Sequence, residues 1–283
     1  MLDTSAPLGL IAGLGQLPVQ VVEAVRAKGG EVFVLRLKGF EEPALDGLPG
    51  DTVGIAEFGK VVRSFREAGC KQVCFAGIVR RPNFNALKPD LKGMSLLPKV
   101  LSAARKGDDA LLSLMVRTFE DEGFAVIGAD EASGQLKAGS GVLAGRAPRD
   151  DEMADLQKAF EIAGEMGRLD IGQGAIVCDG LVLCVEAQEG TDQMLKRCAT
   201  LDPALRGTPE ARRGVLFKRP KPQQERRIDL PTIGVATVEG AAAAGLSGIG
   251  VEAGGALLID MDAVAHAIEA HGMFLYGLAG EDG

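Results

Sequence analysis

The order of short apolar runs and amphipathic segments along this chain predicts an α/β protein. We read it as two α/β domains, the N-terminal one Rossmann-like with a mostly parallel sheet, and a ligand site between the domains. Three observations carry that expectation. Apolar strand-like runs alternate with segments of helical period. The 39 glycines, 46% hydrophobic residues and only 4% aromatics describe a soluble chain built on short aliphatic strands. At 283 residues the chain exceeds one ordinary core, so two domains are the natural division.

The elements follow in order. Residues 8–12 read as a buried strand and 19–28 as the helix after it. A second strand over 31–37 leads into a Gly/Pro-rich connection through Asp51. Residues 58–68 read as helix, 72–76 as strand, and 96–105 and 108–121 as two helices. In the last of these Leu111, Leu112, Met115, Val116 and Phe119 form an apolar stripe at helical spacing. Residues 124–127 close the first domain, 1–134. From 135 to 150 the composition turns to Gly, Ala, Ser and charge without a clear period, which reads as a linker. The second domain, 151–283, opens with a helix over 152–166. Two apolar runs, 175–178 and 181–185, flank Asp179 and Gly180, a hairpin signal because both turn positions need positive φ. Helix over 191–200, strand over 215–217, helix over 232–244, strand over 257–259, helix over 262–270 and strand over 273–276 complete the pattern.

Charge and composition narrow the function. The net charge of -8 argues against nucleic acid as a partner. No apolar run approaches the roughly 20 residues of a membrane span, and the N-terminal residues lack a signal-peptide pattern. The five cysteines, odd in number and mostly in apolar runs, read as buried reduced thiols. His266 and His271 are the only histidines, so chemistry falls to carboxylates, lysines, arginines and a hard metal.

Against the acidic background, Arg212, Arg213, Lys218, Arg219, Lys221, Arg226 and Arg227 crowd together. Such a cluster points to an anion held locally, and Pro220, Pro222 and Pro231 stiffen the segment. Asp229 follows, just ahead of Pro231 and Thr232, where a helix is expected to begin. A carboxylate there holds a metal, takes a proton or caps that helix; a solvated loop ending in an Asp cap is the structural alternative.

Five further loops carry candidate ligand contacts. Gly13, Gly15 and Gln16 follow the first strand and read as a phosphate, ribose or uracil contact, with Pro18 at the first helical position. Pro18 replaces the third glycine of the dinucleotide fingerprint and no acid ends the second strand, so an NAD site is poorly supported. Gly77, Ile78, Arg80 and Arg81 follow another strand, and both loops belong at the carboxyl edge of a parallel sheet, where Arg80 or Arg81 can grip phosphate. Lys106 and Gly107 precede Asp108, read as a helix cap, and Asp109, open to a metal or a sugar hydroxyl. Gln173 leads into the hairpin, and Glu186, Glu189, Thr191 and Asp192 leave it. Three carboxylates in seven residues suit magnesium, ribose or a sugar amide, unless Thr191 or Asp192 only caps the next helix.

Together these motifs resemble the LpxI-type UDP-2,3-diacylglucosamine pyrophosphatases over almost the whole chain. The blocks are 10–13 (Leu-Ile-Ala-Gly) with Gly15, Leu17 and Pro18; 74–77 (Cys-Phe-Ala-Gly) with Arg81 and Pro82; and 104–110 (Ala-Arg-Lys-Gly-Asp-Asp-Ala). More specific are 167–174 (Gly-Arg-Leu-Asp-Ile-Gly-Gln-Gly), 185–192 (Val-Glu-Ala-Gln-Glu-Gly-Thr-Asp), and Lys221 and Pro222 with 229–237 (Asp-Leu-Pro-Thr-Ile-Gly-Val-Ala-Thr). Ile78 stands where many relatives carry a polar residue.

The resemblance implies a cytoplasmic, magnesium-dependent enzyme of lipid A synthesis in a Gram-negative bacterium. It would hydrolyse UDP-2,3-diacylglucosamine to UMP and 2,3-diacylglucosamine 1-phosphate (lipid X), with transient contact at the inner membrane surface and a homodimer compatible with it. It also implies an apolar chamber for the acyl chains. In that family the aspartate corresponding to Asp229 is essential. Glu186, Asp192 and Asp229 are the metal candidates, and Lys218, Lys221 and Arg227 would neutralise the diphosphate. A non-catalytic nucleotide-sugar or lipid-phosphate binder is the competing class, and an NAD-dependent oxidoreductase a third.

Overall fold

The structure, a computed structural model, describes residues 2–80, 83, 86–134 and 137–280. Arg81 and Pro82 lie outside the described residues. The chain forms two compact units: Met1–Gln135 with Glu225–Asp229, and Leu136–Gln224 with Leu230–Gly283.

In the first unit β1 (Leu8–Ala12), β2 (Val32–Leu37), β3 (Gly50–Val53), β4 (Gln72–Ala76) and β5 (Ala125–Ile127) make a five-stranded sheet in the order β3-β2-β1-β4-β5. Every pairing is parallel. This is the doubly wound arrangement, and its order reverses between β1 and β4. The helices are α1 (Gln16–Ala27), α2 (Phe58–Glu67), α3 (Leu91–Ala104), α4 (Asp108–Asp121) and the short α5 (Ala129–Ser133). Phe58, Phe65, Phe119 and Phe124 anchor a buried cluster with Leu35, Val73 and Val116. The stripe expected on α4 is thus only partly buried: Val116 and Phe119 are core, while Leu111, Leu112 and Met115 remain half-buried.

The second unit holds a mixed six-stranded sheet in the order β6-β13-β11-β9-β7-β8. Its strands are β6 (Gly141–Gly145), β7 (Gly174–Cys178), β8 (Leu181–Val185), β9 (Val215–Lys218), β11 (Gly248–Glu252) and β13 (Phe274–Leu278). The central strands β9, β11 and β13 run parallel; β6 and β7 are antiparallel to their neighbours. The short strands β10 (Thr232–Ile233) and β12 (Leu257–Leu258) pair separately. The helices α6 (Asp150–Arg168), α7 (Thr191–Ala199), α8 (Val235–Ala243) and α9 (Met261–Ala270) complete the unit.

Several local expectations need correction. Residues 135–150, read as linker from their composition, contain β6, which pairs with β13. β11 carries no apolar run, yet it lies at the sheet centre. A Cβ on Gly248 would sit 2.2 Å from the Phe274 ring, and one on Gly250 2.4 Å from Phe217, so the neighbouring aromatics fill the space. α1 begins three residues earlier than read, which makes Pro18 its third residue, still in the turn that needs no N–H partner. The hairpin forms as its turn chemistry requires: Asp179 has φ 50° and Gly180 φ 75°. Asp155 accepts both turn amides, at 2.9 and 2.7 Å. All five cysteines are buried and free.

Candidate functional site

The first unit places two sequence-expected loops side by side. β1 and β4 pair with Ala12 opposite Ala76, so the loops leaving them emerge together at the switch point of the sheet. Leu14 donates to the Ile78 carbonyl at 3.1 Å and Ile78 donates back at 2.8 Å. Only glycine fits this crossing. A Cβ on Gly13 would stand 2.6 Å from the Ile78 oxygen, and Gly77 adopts φ 98° against the Gly13 backbone. Gly15 opens α1, and its amide donates to Glu42 Oε2 at 2.8 Å. A carboxylate therefore already occupies one donor at the place where an anion is expected. Gln16, Ile78 and Arg80 are exposed at this edge. Arg36, the penultimate residue of β2, is buried and donates to the Leu45 and Leu48 carbonyls, a structural role.

Lys106 is exposed just before α4. Gly107, not Asp108, is the N-cap of that helix; Asp108 and the buried Asp109 lie in its first turn, where a carboxylate favours the helix dipole.

Glu225–Asp229 joins the first unit. The amides of Ile228 and Asp229 both donate to the Glu225 carbonyl at 3.1 Å, closing a tight turn. Ile228 packs on the aromatic cluster. Arg227 grips Glu225 through two bonds of 2.8 Å and reaches Glu120 on α4 at 2.7 Å. The pairing with Glu225, then Glu120, raises the Arg227 pKa, while Arg227 holds the Glu225 carboxyl below its ordinary range. Asp229 ends this turn, half-buried. It caps no helix: β10 follows, and the next helix, α8, has Gly234 at its N-cap.

In the second unit the remaining candidates collect where β9 ends, β7 begins and β8 ends. Lys218, the last residue of β9, lies opposite Gly174 in the sheet. It is 4% exposed, and its Nζ donates to the Thr232 carbonyl at 3.3 Å. Glu186, 6% exposed, follows β8; its amide donates to the Gly174 carbonyl at 2.8 Å. Thr191 donates its hydroxyl to Glu186 Oε1 at 3.0 Å. The other oxygen, Oε2, is buried with no hydrogen-bond partner. A carboxylate oxygen rarely stays buried and unsatisfied without a reason, because desolvation costs it a bond.

Around this centre other charges are engaged. Lys221 pairs with Asp170 at 2.7 Å. Gln224 accepts from the Lys221 amide at 2.8 Å and donates to Gln173 at 3.4 Å. Arg219 stacks 3.9 Å over the Phe160 ring and lies 3.0 Å from Glu252, an ion pair without hydrogen-bond alignment. Glu189 is bound by Arg197 at 2.7 Å, which also donates to the Val185 carbonyl. Its own backbone amide, then Arg197, lowers its pKa. Gly190, not Thr191 or Asp192, is the N-cap of α7, and Asp192 lies exposed in its first turn. Sequence reasoning missed Asp170, Gln224 and Glu252 as partners. Asp170 and Glu252 meet cations far along the chain, so no local spacing marks them; Gln224 reaches Gln173 through the fold but also meets the Lys221 amide three residues away, a local pairing.

A hard divalent ion was expected on Glu186, Asp192 and Asp229. Among the described residues no group of three or more His, Cys, Asp or Glu side chains is gathered as a metal centre. The unsatisfied, buried Glu186 oxygen is nonetheless the kind of hard donor that magnesium takes.

A doubly wound parallel sheet with paired glycine loops, and a second, mixed α/β unit, define a two-part α/β protein. The family model described as LpxI N-terminal domain matches residues 7–136, and that described as LpxI C-terminal domain matches 139–276. The chain belongs to the LpxI family. It is 54% identical over 271 residues to the UDP-2,3-diacylglucosamine pyrophosphatase LpxI of Caulobacter vibrioides, covering 96% of this chain and 97% of that protein.

Proposed function

We propose that the protein hydrolyses UDP-2,3-diacylglucosamine to UMP and 2,3-diacylglucosamine 1-phosphate in lipid A biosynthesis. The observation that carries this reading is the full-length likeness to the Caulobacter enzyme, whose name states that substrate. In the reaction a water oxygen bonds to the sugar-side phosphorus and the bridging P–O bond breaks. UMP leaves with the bridging oxygen, and the water gives up a proton.

The residues divide this work by chemistry. Asp229 is the carboxylate we assign to accept that proton or to hold a metal. Glu186, Asp192 and Asp229 are the oxygen donors assigned to magnesium, which when bound neutralises diphosphate charge. The buried Lys218 supplies a fixed positive charge. Lys221 and Arg227 carry charges that internal carboxylates hold in place, so a diphosphate must compete with Asp170 and with Glu225 and Glu120. The glycine loops after β1 and β4 offer backbone to the nucleotide. We assign the protein to the cytoplasm, with transient contact at the inner membrane surface.

The test is UMP release from UDP-2,3-diacylglucosamine by the purified protein, with and without magnesium. Turnover that needs magnesium supports the assignment. Retention of the ligand without turnover would instead identify a nucleotide-sugar binder.

A further inference from the structure

The outward face of α3 is left without a role by the chemistry above. Along this helix Leu91, Met94, Pro98 and Leu101 recur at intervals of three, four and three residues, the spacing of a single helical stripe. That stripe faces solvent: Leu91 is 89% exposed, Met94 57% and Leu101 37%, and Pro98 is exposed too. The opposite face is the one that packs. Gly93 and Ala104 are buried, and a Cβ on Gly93 would stand 2.0 Å from the Ala56 carbonyl oxygen. The helix is also fixed at its start. Asp90 accepts from the Gly93 amide at 2.8 Å and the Lys60 amide at 2.9 Å, and Lys92 pairs with Glu122. An ordinary surface helix puts its apolar stripe inward; this one is held so that a second stripe points out.

The charge around the stripe indicates what covers it. Residues 91–107 contain four cations and no acid, in a chain of net charge -8. Lys92 is engaged by Glu122, whereas Lys99, Arg105 and Lys106 are exposed beside or beyond the stripe. Exposed leucine and methionine flanked by cations on a helix are the composition of an element that lies in a lipid interface. We propose that α3 is a membrane-docking helix, which seats Leu91, Met94 and Leu101 among the lipids of an anionic bilayer with Lys99 and Arg105 at the headgroups. This names the surface for the membrane contact proposed above, and rests on the reading that the substrate is a diacyl lipid dissolved in that membrane.

Co-sedimentation with vesicles of phosphatidylglycerol and phosphatidylcholine, without substrate, tests it. Wild-type protein should bind, and the triple variant Leu91→Ser, Met94→Ser, Leu101→Ser should lose roughly tenfold or more in apparent affinity. The double variant Lys99→Ser, Arg105→Ser should bind more weakly, with a shallower salt dependence. These exposed substitutions leave the packed face intact, which an unchanged thermal melt verifies. Hydrolysis of detergent-dispersed substrate should be unchanged in both variants, while hydrolysis of vesicle-borne substrate falls. Absence of wild-type vesicle binding, or equal binding by the triple variant, overturns the proposal. So does a triple variant that loses detergent-dispersed turnover, which would assign the stripe to the substrate's own acyl chains. A dimer that the triple variant breaks, with vesicle binding kept, would assign it to a second copy. If wild-type protein fails to hydrolyse the dispersed substrate yet binds vesicles, the functional reading fails and the docking surface stands.

Discussion

Leu14 and Ile78 exchange both backbone hydrogen bonds, at 3.1 and 2.8 Å, and so tie the loop after β1 to the loop after β4. That exchange demands glycine on either side. Gly77 holds φ 98°, and a side chain on Gly13 would meet the Ile78 carbonyl at 2.6 Å. We expect Gly77→Ala to cost about 1–3 kcal/mol and to lower turnover, since the strained φ and the contact act together. Urea denaturation midpoints measure it; a midpoint and activity equal to wild type would show that the crossing is not constrained.

Asp229→Ala is expected to lose at least about 100-fold in turnover, or roughly 2.7 kcal/mol of barrier, with the fold retained. Asp229 closes the turn begun by Glu225 through its backbone amide, which alanine preserves. Steady-state assays decide the matter, and activity within about tenfold of wild type removes Asp229 from the chemistry.

Glu186 tests the metal assignment from the other unit. Glutamine keeps an oxygen for the Thr191 hydroxyl but removes the charge on the carboxylate whose Oε2 is unsatisfied. Apparent magnesium affinity should fall by about 10- to 100-fold while stability holds or rises. An unchanged magnesium titration contradicts the ligand role. Wild-type protein should likewise lose activity after exhaustive chelation and regain it with added magnesium.

The Glu225–Arg227 pair gives a pH dependence of known sign. Arg227 lowers the Glu225 pKa in the folded chain, so the unfolded chain binds the proton more readily. The stabilisation is full above the unfolded value of about 4.3 and disappears as pH falls through the lower folded value. Glu225→Gln should therefore cost about 1 kcal/mol or less near neutrality, and the difference should close in acid. A difference that widened in acid would mean that the pairing is not what Glu225 contributes.

The sequence disclosed these features unevenly, for physical reasons. The turn at Asp179 and Gly180 and the extent of α4 were legible because their determinants are local. β11 was hidden, since Gly248 and Gly250 yield their volume to Phe274 and Phe217 and leave no apolar run to read. β6 was hidden because its apolar stretch, 142–144, is only three residues long between glycines and gains order by pairing with β13. The adjacency of the two glycine loops followed from the rules of parallel sheets. The engagement of Arg227 did not: Glu120 lies 107 residues away, and nothing in the basic segment marks a partner at that distance. Composition announced the cations, and only the fold shows that Lys221 and Arg227 are already held by carboxylates.

The central claim is hydrolysis at the sugar-side phosphorus, and turnover in heavy-oxygen water tests it most directly. Mass spectrometry of the products should place the labelled oxygen in the phosphate of 2,3-diacylglucosamine 1-phosphate, with unlabelled UMP released in equal amount. Label in UMP would contradict the assigned point of attack, and recovery of intact substrate without either product would contradict hydrolysis itself.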